Sequence, residues 1–203
     1  MYSAVCGDYE PHRPQPVPVA VYHEDGVPPI ATDWTRVGSA YPRMDAKWWK
    51  VRPDLVHPGG VSVWLDGSVT ILDPDFHDRC IAELGDDDAL LMRHPWRDCI
   101  YDEQAASHPN GKYDGQPTRE QVASYREAGH PEHWGLVQTT VMVRRDTDRM
   151  RAVDEAWWAE MLRWSLQDQL SLPPLLRTMD LRWHFWPEHP IFDLGWLRWG
   201  EYN

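Results

Sequence analysis

The string VSVWLDGSVTIL at residues 61–72 constrains the fold of this chain more than any other. It holds two short β-branched runs, which suit strands, broken by the acidic turn Asp66-Gly67-Ser68. Similar runs recur on either side, separated by helical stretches. Residues 2–7 (YSAVCG) predict a strand ending at a Gly-Asp turn, and residues 17–22 (VPVAVY) predict a second, followed by HEDG. Pro42 opens the helical stretch RMDAKWWKV, which Pro53 closes. Asp73 and Pro74 read as an N-cap and first helical position for a helix running to about Leu84, with Gly85 past its end. ALLMRHP is a further buried-type strand. Thr118 with Gln121 predicts a capping box for a helix ending near Gly129. GLVQTTVMVRR predicts another strand. Met150, Val153, Trp157, Met161 and Trp164 recur at helical spacing in a helix from near Asp148, and Pro173-Pro174 should interrupt whatever follows. Strands alternating with helices predict an α/β fold, with a mainly parallel sheet covered by helices on both faces.

At 203 residues the chain fits one domain, 1–203, with residues 173–203 a Trp-rich C-terminal segment that receives no assignment. No run approaches the length of a membrane span, and the opening MYSAVCGDYEPHRP lacks the pattern of a signal peptide. The expectation is a soluble, cytoplasmic protein with no membrane partner. The formal net charge of -12 repels phosphate backbones, so charge-driven nucleic-acid binding is disfavoured, although a local basic channel would escape that average. Cys6, Cys80 and Cys99 are odd in number and form no CxxC, which suggests reduced structural thiols. Thirteen Trp against three Phe suits a core, and equally a sugar or nucleotide site where an apolar face meets a polar rim.

Ligands of open α/β sheets bind beyond the carboxyl ends of the strands. Asp8, Asp25, Asp66 and His94 each follow a predicted strand directly. Asp at such positions also simply makes turns. Asp66 at the strand break is placed to bind magnesium or manganese and so neutralise a diphosphate, and a hairpin-like Asp-Gly turn is the rival reading. Arg97 in His94-Pro95-Trp96-Arg97 offers a bidentate phosphate clamp, against the alternative of a surface Arg and a capping His. Alternation along the last strand sends one of Arg144 and Arg145 inward, where it could meet phosphate. Gln167-Asp168-Gln169 follows the Trp-rich helix, and Asp168 is a candidate proton acceptor for an attacking hydroxyl, or otherwise a cap. Asp86-Asp87-Asp88 reads as a solvated turn. No HxH, HxxxH or HExxH spacing supports a histidine metal site.

VSVWLDGSVTIL resembles the strand–DxD–strand segment of GT-A glycosyltransferases, with Asp66 at the first acidic position. The ordered strings YSAVCGDYE, VPVAVYHED, YPRMDAKWWKVRPDLVHP, VSVWLDGS, LMRHPWRDCIYDE, HWGLVQTTVMVRR and WWAEMLRWSLQDQLSL cover most of residues 2–172. They resemble the TOD/MUCI glycosyltransferase-like domain family, named for plant proteins. The resemblance implies a GT-A-like, Rossmann-related sheet and a transferase that uses a nucleotide-diphosphate sugar donor. Asp8 and Asp25 would lie near the nucleoside, Lys47 near a phosphate, and Gln169 on a sugar hydroxyl, with Lys50 solvated. His94, Arg97 and Arg144 would complete the donor site, and Asp168 and Asp66 would be catalytic. The second acidic position of DxD is Ser68 here, a poor cation ligand, so Mn2+ or Mg2+ at Asp66 would be weakly held or replaced by basic residues. Two other functions compete. A non-catalytic nucleotide-sugar-binding module would keep the fold without turnover. A metal-dependent phosphoester hydrolase would need several clustered carboxylates or histidines, and only Asp66 is well placed. The acceptor is a glycan, a small molecule or a modified nucleobase. Trp183, Trp186, Trp196 and Trp199 either stack on it or pack the C-terminal segment.

Overall fold

A computed structural model describes residues 1–7, 13–25, 27, 41–107 and 111–200. Six strands form one sheet: β1 (Tyr2–Ala4), β2 (Ala20–Tyr22), β3 (Val61–Leu65), β5 (Ala89–Arg93), β6 (Val137–Arg145) and β7 (Trp183–Phe185), in the order β2-β1-β3-β6-β5-β7. β1 pairs parallel with β2 and β3, and β5 pairs parallel with β7, while β6 runs antiparallel to both its neighbours. Five strands therefore point one way, and their carboxyl ends share an edge with the amino end of β6. A two-stranded antiparallel pair, β4 (Val69–Ile71) with β8 (Leu197–Trp199), sits beside this sheet.

The period of two along the strands builds two apolar layers. Trp64, Ala89, Leu91 and Met142 face α1 (Tyr41–Val51), α6 (Asp148–Arg163) and α7 (Asp168–Thr178), meeting Met44, Met150, Val153, Trp157, Met161 and Leu172. Their alternates Val63, Leu65, Leu90, Met92, Val141 and Val143 face α3 (Phe76–Leu84), β4 and β8, meeting Phe76, Cys80, Val69, Ile71 and Leu197. The sheet is thus mainly parallel and covered on both faces, as the alternation predicts. A smaller cluster of Ile100, Val122, Tyr125, Leu136 and Leu170 joins α4 (Ile100–Ser107) and α5 (Thr118–Glu127) to α7. The three cysteines are buried and free.

Several local expectations change. α3 starts at Phe76, not Pro74, because Asp73 Oδ1 accepts from the Asp75 amide at 2.9 Å and holds a turn there first. Thr118 and Gln121 form no capping box. Thr118 Oγ1 accepts from Gln104, while Gln121 bonds Tyr125 and Ser165 inside the core. Pro173-Pro174 does not interrupt α7, since burial of Leu170, Leu172, Pro173 and Leu176 outweighs the two missing amide donors. The triplet Asp86–Asp88 is not all solvated. Asp88 is fully buried and takes hydrogen bonds from Arg149, Thr147 and the Arg182 amide, tying the start of α6 to the approach to β7. Burial opposes its ionisation, and these donors still hold its carboxyl below the usual range.

Two features of the sheet shape its carboxyl edge. Between Leu91 and Met92 the β5–β6 register jumps from Met142 to Gln138, so β6 carries three surplus residues, 139–141. Such a bulge re-aims side chains, and Thr139 and Thr140 leave the regular ladder here. At the other end of β6, Arg144 turns inward at 1% exposure. It reaches Asp154 at 2.9 Å, Tyr2 Oη at 3.0 Å and the Lys50 carbonyl. Removing one partner of a buried pair strands the other charge, at about 3–5 kcal/mol. Asp154→Leu should therefore lower the urea-unfolding free energy by about that amount, and Arg144→Met with Asp154→Leu should recover most of it. Equal stability of the single and double variants would exclude this role for the pair.

Candidate active site

Asp66 follows β3 where the strand leaves its antiparallel pairing with β6. Its amide donates to the Thr140 carbonyl at 2.8 Å, and the Val69 amide returns to the Asp66 carbonyl at 3.0 Å, which closes the turn into β4. Its carboxylate is a quarter exposed. Oδ1 accepts from Trp64 Nε1 at 2.8 Å and from Lys50 Nζ at 3.1 Å. The hydrogen bonds of the Asp66 carboxylate among the described residues all end on Oδ1. Lys50 is the largest departure from expectation. It is not solvated but 1% exposed, with Nζ 2.8 Å from Asp168 Oδ2 as well as on Asp66. Residues 47 and 50 lie one helical turn apart on α1, so both ammonium groups project to the same point. Lys47 also pairs with Asp168 Oδ2, and Thr139 Oγ1 donates to that oxygen at 3.0 Å.

Asp168 follows the Trp-rich helix and is the first residue of α7, and a helix N-terminus favours a carboxylate. Burial opposes its ionisation, but Lys47 and Lys50 overcome that and hold its pKa far below the usual range. Burial likewise opposes the charge on Lys50, and the two carboxylates outweigh it and raise its pKa. Lys47 moves the other way. Burial pulls it down to about 8 despite Asp168, with the like charge of Lys50 adding to the fall.

A cleft of about 650 Å3 opens over this quartet at the carboxyl edge of the sheet. Asp66, Lys47 and Asp168 form its floor, with Thr139, Thr140 and Gln138 from the bulge of β6. Arg97, His94 and Glu103 line the cleft as one connected group, and Arg43 and Lys112 line it too. Arg97 Nε donates to Glu103 Oε2 at 2.6 Å, and Glu103 Oε1 accepts from Gln167 Nε2 at 3.2 Å. Burial raises the Glu103 pKa against the pull of Arg97. His94 Nδ1 accepts from the Trp96 and Arg97 amides at 3.3 and 3.1 Å. Burial, with help from the charge of Arg97, lowers its pKa to about 4, so the ring is neutral near pH 7. Trp96 and Trp199 also line the cleft.

The structure therefore brings together Asp66, Lys47, His94, Arg97, Asp168 and Gln169 in one cleft. Ser68 lies just outside it, 4% exposed, with Oγ accepting from Trp199 Nε1 at 3.2 Å. Arg144 lies in the core and lines no part of the cleft. Asp25 is exposed and also outside it, and Asp8 falls outside the described residues. Sequence reasoning missed Lys50, Thr139, Thr140, Gln138, Arg43 and Lys112. Only Lys50 left a signal, its i,i+3 spacing from Lys47.

The DxD resemblance implies a divalent cation at Asp66, and the residues present do not fit one. The Asp66 oxygen facing Asp168 is taken by an ammonium group, Asp168 by two, and Ser68 by an indole. Two lysines against two carboxylates already balance the local charge, whereas hard cations need several free oxygens. Cys99, Asp102 and His133 bring ligand atoms within 4.8 Å of one another, and none of them lines the cleft. Among the described residues no helix is long and apolar enough to cross a membrane.

No protein-family model matches the sequence, and no curated protein matches it. Among solved structures, apo mouse xyloside xylosyltransferase 1 is similar with a TM-score of 0.46 at 12% identity, over 83% of this chain and 63% of that one. The apo bifunctional glycosyltransferase WbbM is similar with a TM-score of 0.42 at 13% identity, over 83% of this chain and 28% of that one. The chain spans less than two thirds of the length of either. The resemblance to the TOD/MUCI domain rests on the sequence strings alone.

Manganese should leave the cleft unchanged. In thermal melts with MnCl2 or EDTA the expected shift is none. A manganese-dependent rise in Tm that Asp66→Asn removes would restore a metal to this site.

Proposed function

We propose that this chain is a metal-independent glycosyltransferase of the TOD/MUCI type, moving a sugar from a nucleotide-diphosphate donor to an acceptor hydroxyl. The observation that carries this reading is the Lys47–Lys50–Asp168–Asp66 quartet beneath a cleft at the carboxyl edge of a mainly parallel sheet. In such a transfer the acceptor oxygen attacks the anomeric carbon as the bond from that carbon to the phosphate oxygen breaks. The nucleoside diphosphate leaves with the electron pair, and the hydroxyl proton passes to a base. Charge therefore grows on the diphosphate, and preformed cations that face it stabilise the transition state without reorganising. Lys47 and Arg97 border the cleft for that task, and Arg43 and Lys112 line it as well. Lys50 is too enclosed to touch a ligand; with Asp168 it fixes Lys47.

The base follows by elimination. Asp168 is held ionised by two ammonium groups, His94 is pushed to about 4, and both oxygens of Glu103 are engaged. The first two are weak proton acceptors near neutral pH, and Arg97 and Gln167 occupy the carboxylate of Glu103. Asp66 Oδ2 remains, and Asp66 is the base in this reading. Asp168, the sequence-based candidate, becomes a positioning residue. Its enclosure in an ion pair favours a second reading, a nucleotide-sugar-binding module without turnover.

Isothermal titration with a panel of nucleotide diphosphates and nucleotide sugars, followed by an assay of nucleotide release, separates the two. Binding with release supports the transferase, and binding without release supports the module. Asp66→Asn should retain nucleotide affinity and lose about 10²–10⁴-fold in turnover; unchanged turnover removes Asp66 as the base. Lys47 attracts an anion only while protonated, and its charge is lost as pH rises through about 8. Nucleotide affinity should be level below that pH and fall above it, by up to about tenfold per unit. Lys47→Met should abolish the pH dependence.

A further inference from the structure

A second hollow of about 450 Å3 adjoins the cleft on the far side of Trp96. Trp96 and His94 border both spaces, so one indole forms the partition. Trp96 is 63% exposed, unusual for a Trp, yet its ring is held. It stacks on Trp199 at 6.0 Å and 20° and meets Phe192 at 5.8 Å, itself half exposed. Trp199 is fixed in turn by its bond to Ser68. A large, fixed and exposed aromatic face beside polar groups is what a sugar ring with one apolar face requires.

An independent observation lies beside it. His189 Nδ1 accepts from the Ile191 and Phe192 amides at 3.2 and 3.4 Å, which leaves the ring proton on Nε2. Burial lowers the His189 pKa, so the ring is neutral. Nε2 then donates to Gln138 Oε1 at 2.8 Å. That bond fixes the amide, and its other end, Gln138 Nε2, is buried without a hydrogen-bond partner among the described residues. Gln138 is 2% exposed and lines the cleft. A buried donor left unmade is costly, so an orphan amide at the edge of a cleft calls for an acceptor atom from a ligand.

We infer that the junction of cleft and hollow at Trp96 and Gln138 is the acceptor subsite, and that it takes a carbohydrate. One sugar ring stacks on Trp96, and one of its hydroxyl oxygens accepts from Gln138 Nε2. His189 is a positioning residue that sets the direction of that amide. Arg93 and Asp193 on the rim of the hollow offer a donor and an acceptor to further hydroxyls. A stacked nucleobase in a polynucleotide is disfavoured by the net charge of -12, and a neutral glycan is not. The inference rests on the transferase reading for the word acceptor, while the sugar site itself does not.

The test uses the full chain, a printed glycan array, and saturation-transfer NMR with methyl glucoside and methyl galactoside. Each is run with and without a saturating nucleotide diphosphate. The expected result is glycan binding that Trp96→Ala weakens by about tenfold and Gln138→Leu by about fivefold. Trp96 is exposed, so its variant should fold, and Gln138→Glu, which replaces the donor by an acceptor, guards against misfolding of the leucine variant. No glycan binding by the wild-type chain overturns the inference. So does binding of oligo-dT that Trp96→Ala removes while glycans do not bind. Glycan binding in a chain that binds no nucleotide supports the sugar site and defeats the donor reading instead.

Discussion

Four charged side chains in contact, Lys47, Lys50, Asp66 and Asp168, set what the rest of the molecule can do. Three of them are largely enclosed, and a buried charge is tolerated only with its opposite at hand. The quartet therefore ties α1, the end of β3 and the start of α7 to one point, and none of these can shift without stranding a charge. The helix dipole of α7 and the hydroxyl of Thr139 add to the same side of the balance. The cleft above inherits a floor that is rigid, nearly neutral and still presents one ammonium and one carboxylate oxygen to whatever enters.

The fold could be read from the sequence where periodicity was strong. The runs around Val61, Ala89 and Val137 alternate or are continuously apolar, and all became strands of the main sheet. The stripe from Met150 to Met161 became α6. Local rules failed where tertiary contacts outweighed them. Pro173-Pro174 lies inside a helix because the apolar residues around it are buried, and the Thr118–Gln121 pair gave its polar groups to the core rather than to a cap. The strands of residues 183–199 are three residues each, too short for a pattern to stand out.

The site was legible only in part, for a physical reason. Asp66, His94 and Arg97 follow strands directly, so topology alone delivers them to one edge. Lys50 looked like a surface residue because a lysine is buried only when its partners are, and those partners lie 16 and 118 positions away. Alternation sends one of Arg144 and Arg145 inward without saying which or to what; Arg144 is the one, and Asp154 on α6, not a phosphate, waits there. Thr139 and Thr140 reach the cleft through a register jump with no marker in VQTTVMV.

That jump also separates two jobs within one strand. In a regular ladder a single inserted or deleted residue inverts every side chain beyond it, which here would expel Arg144 from the core. The surplus residues 139–141 interrupt the β5–β6 ladder, so a change of length at the Gln138–Thr140 end can be taken up locally. A side chain presented to the cleft from this end of β6 is therefore set by the bulge, while the Arg144 end keeps its register. Substrate preference can diversify on a scaffold whose folding is inherited unchanged.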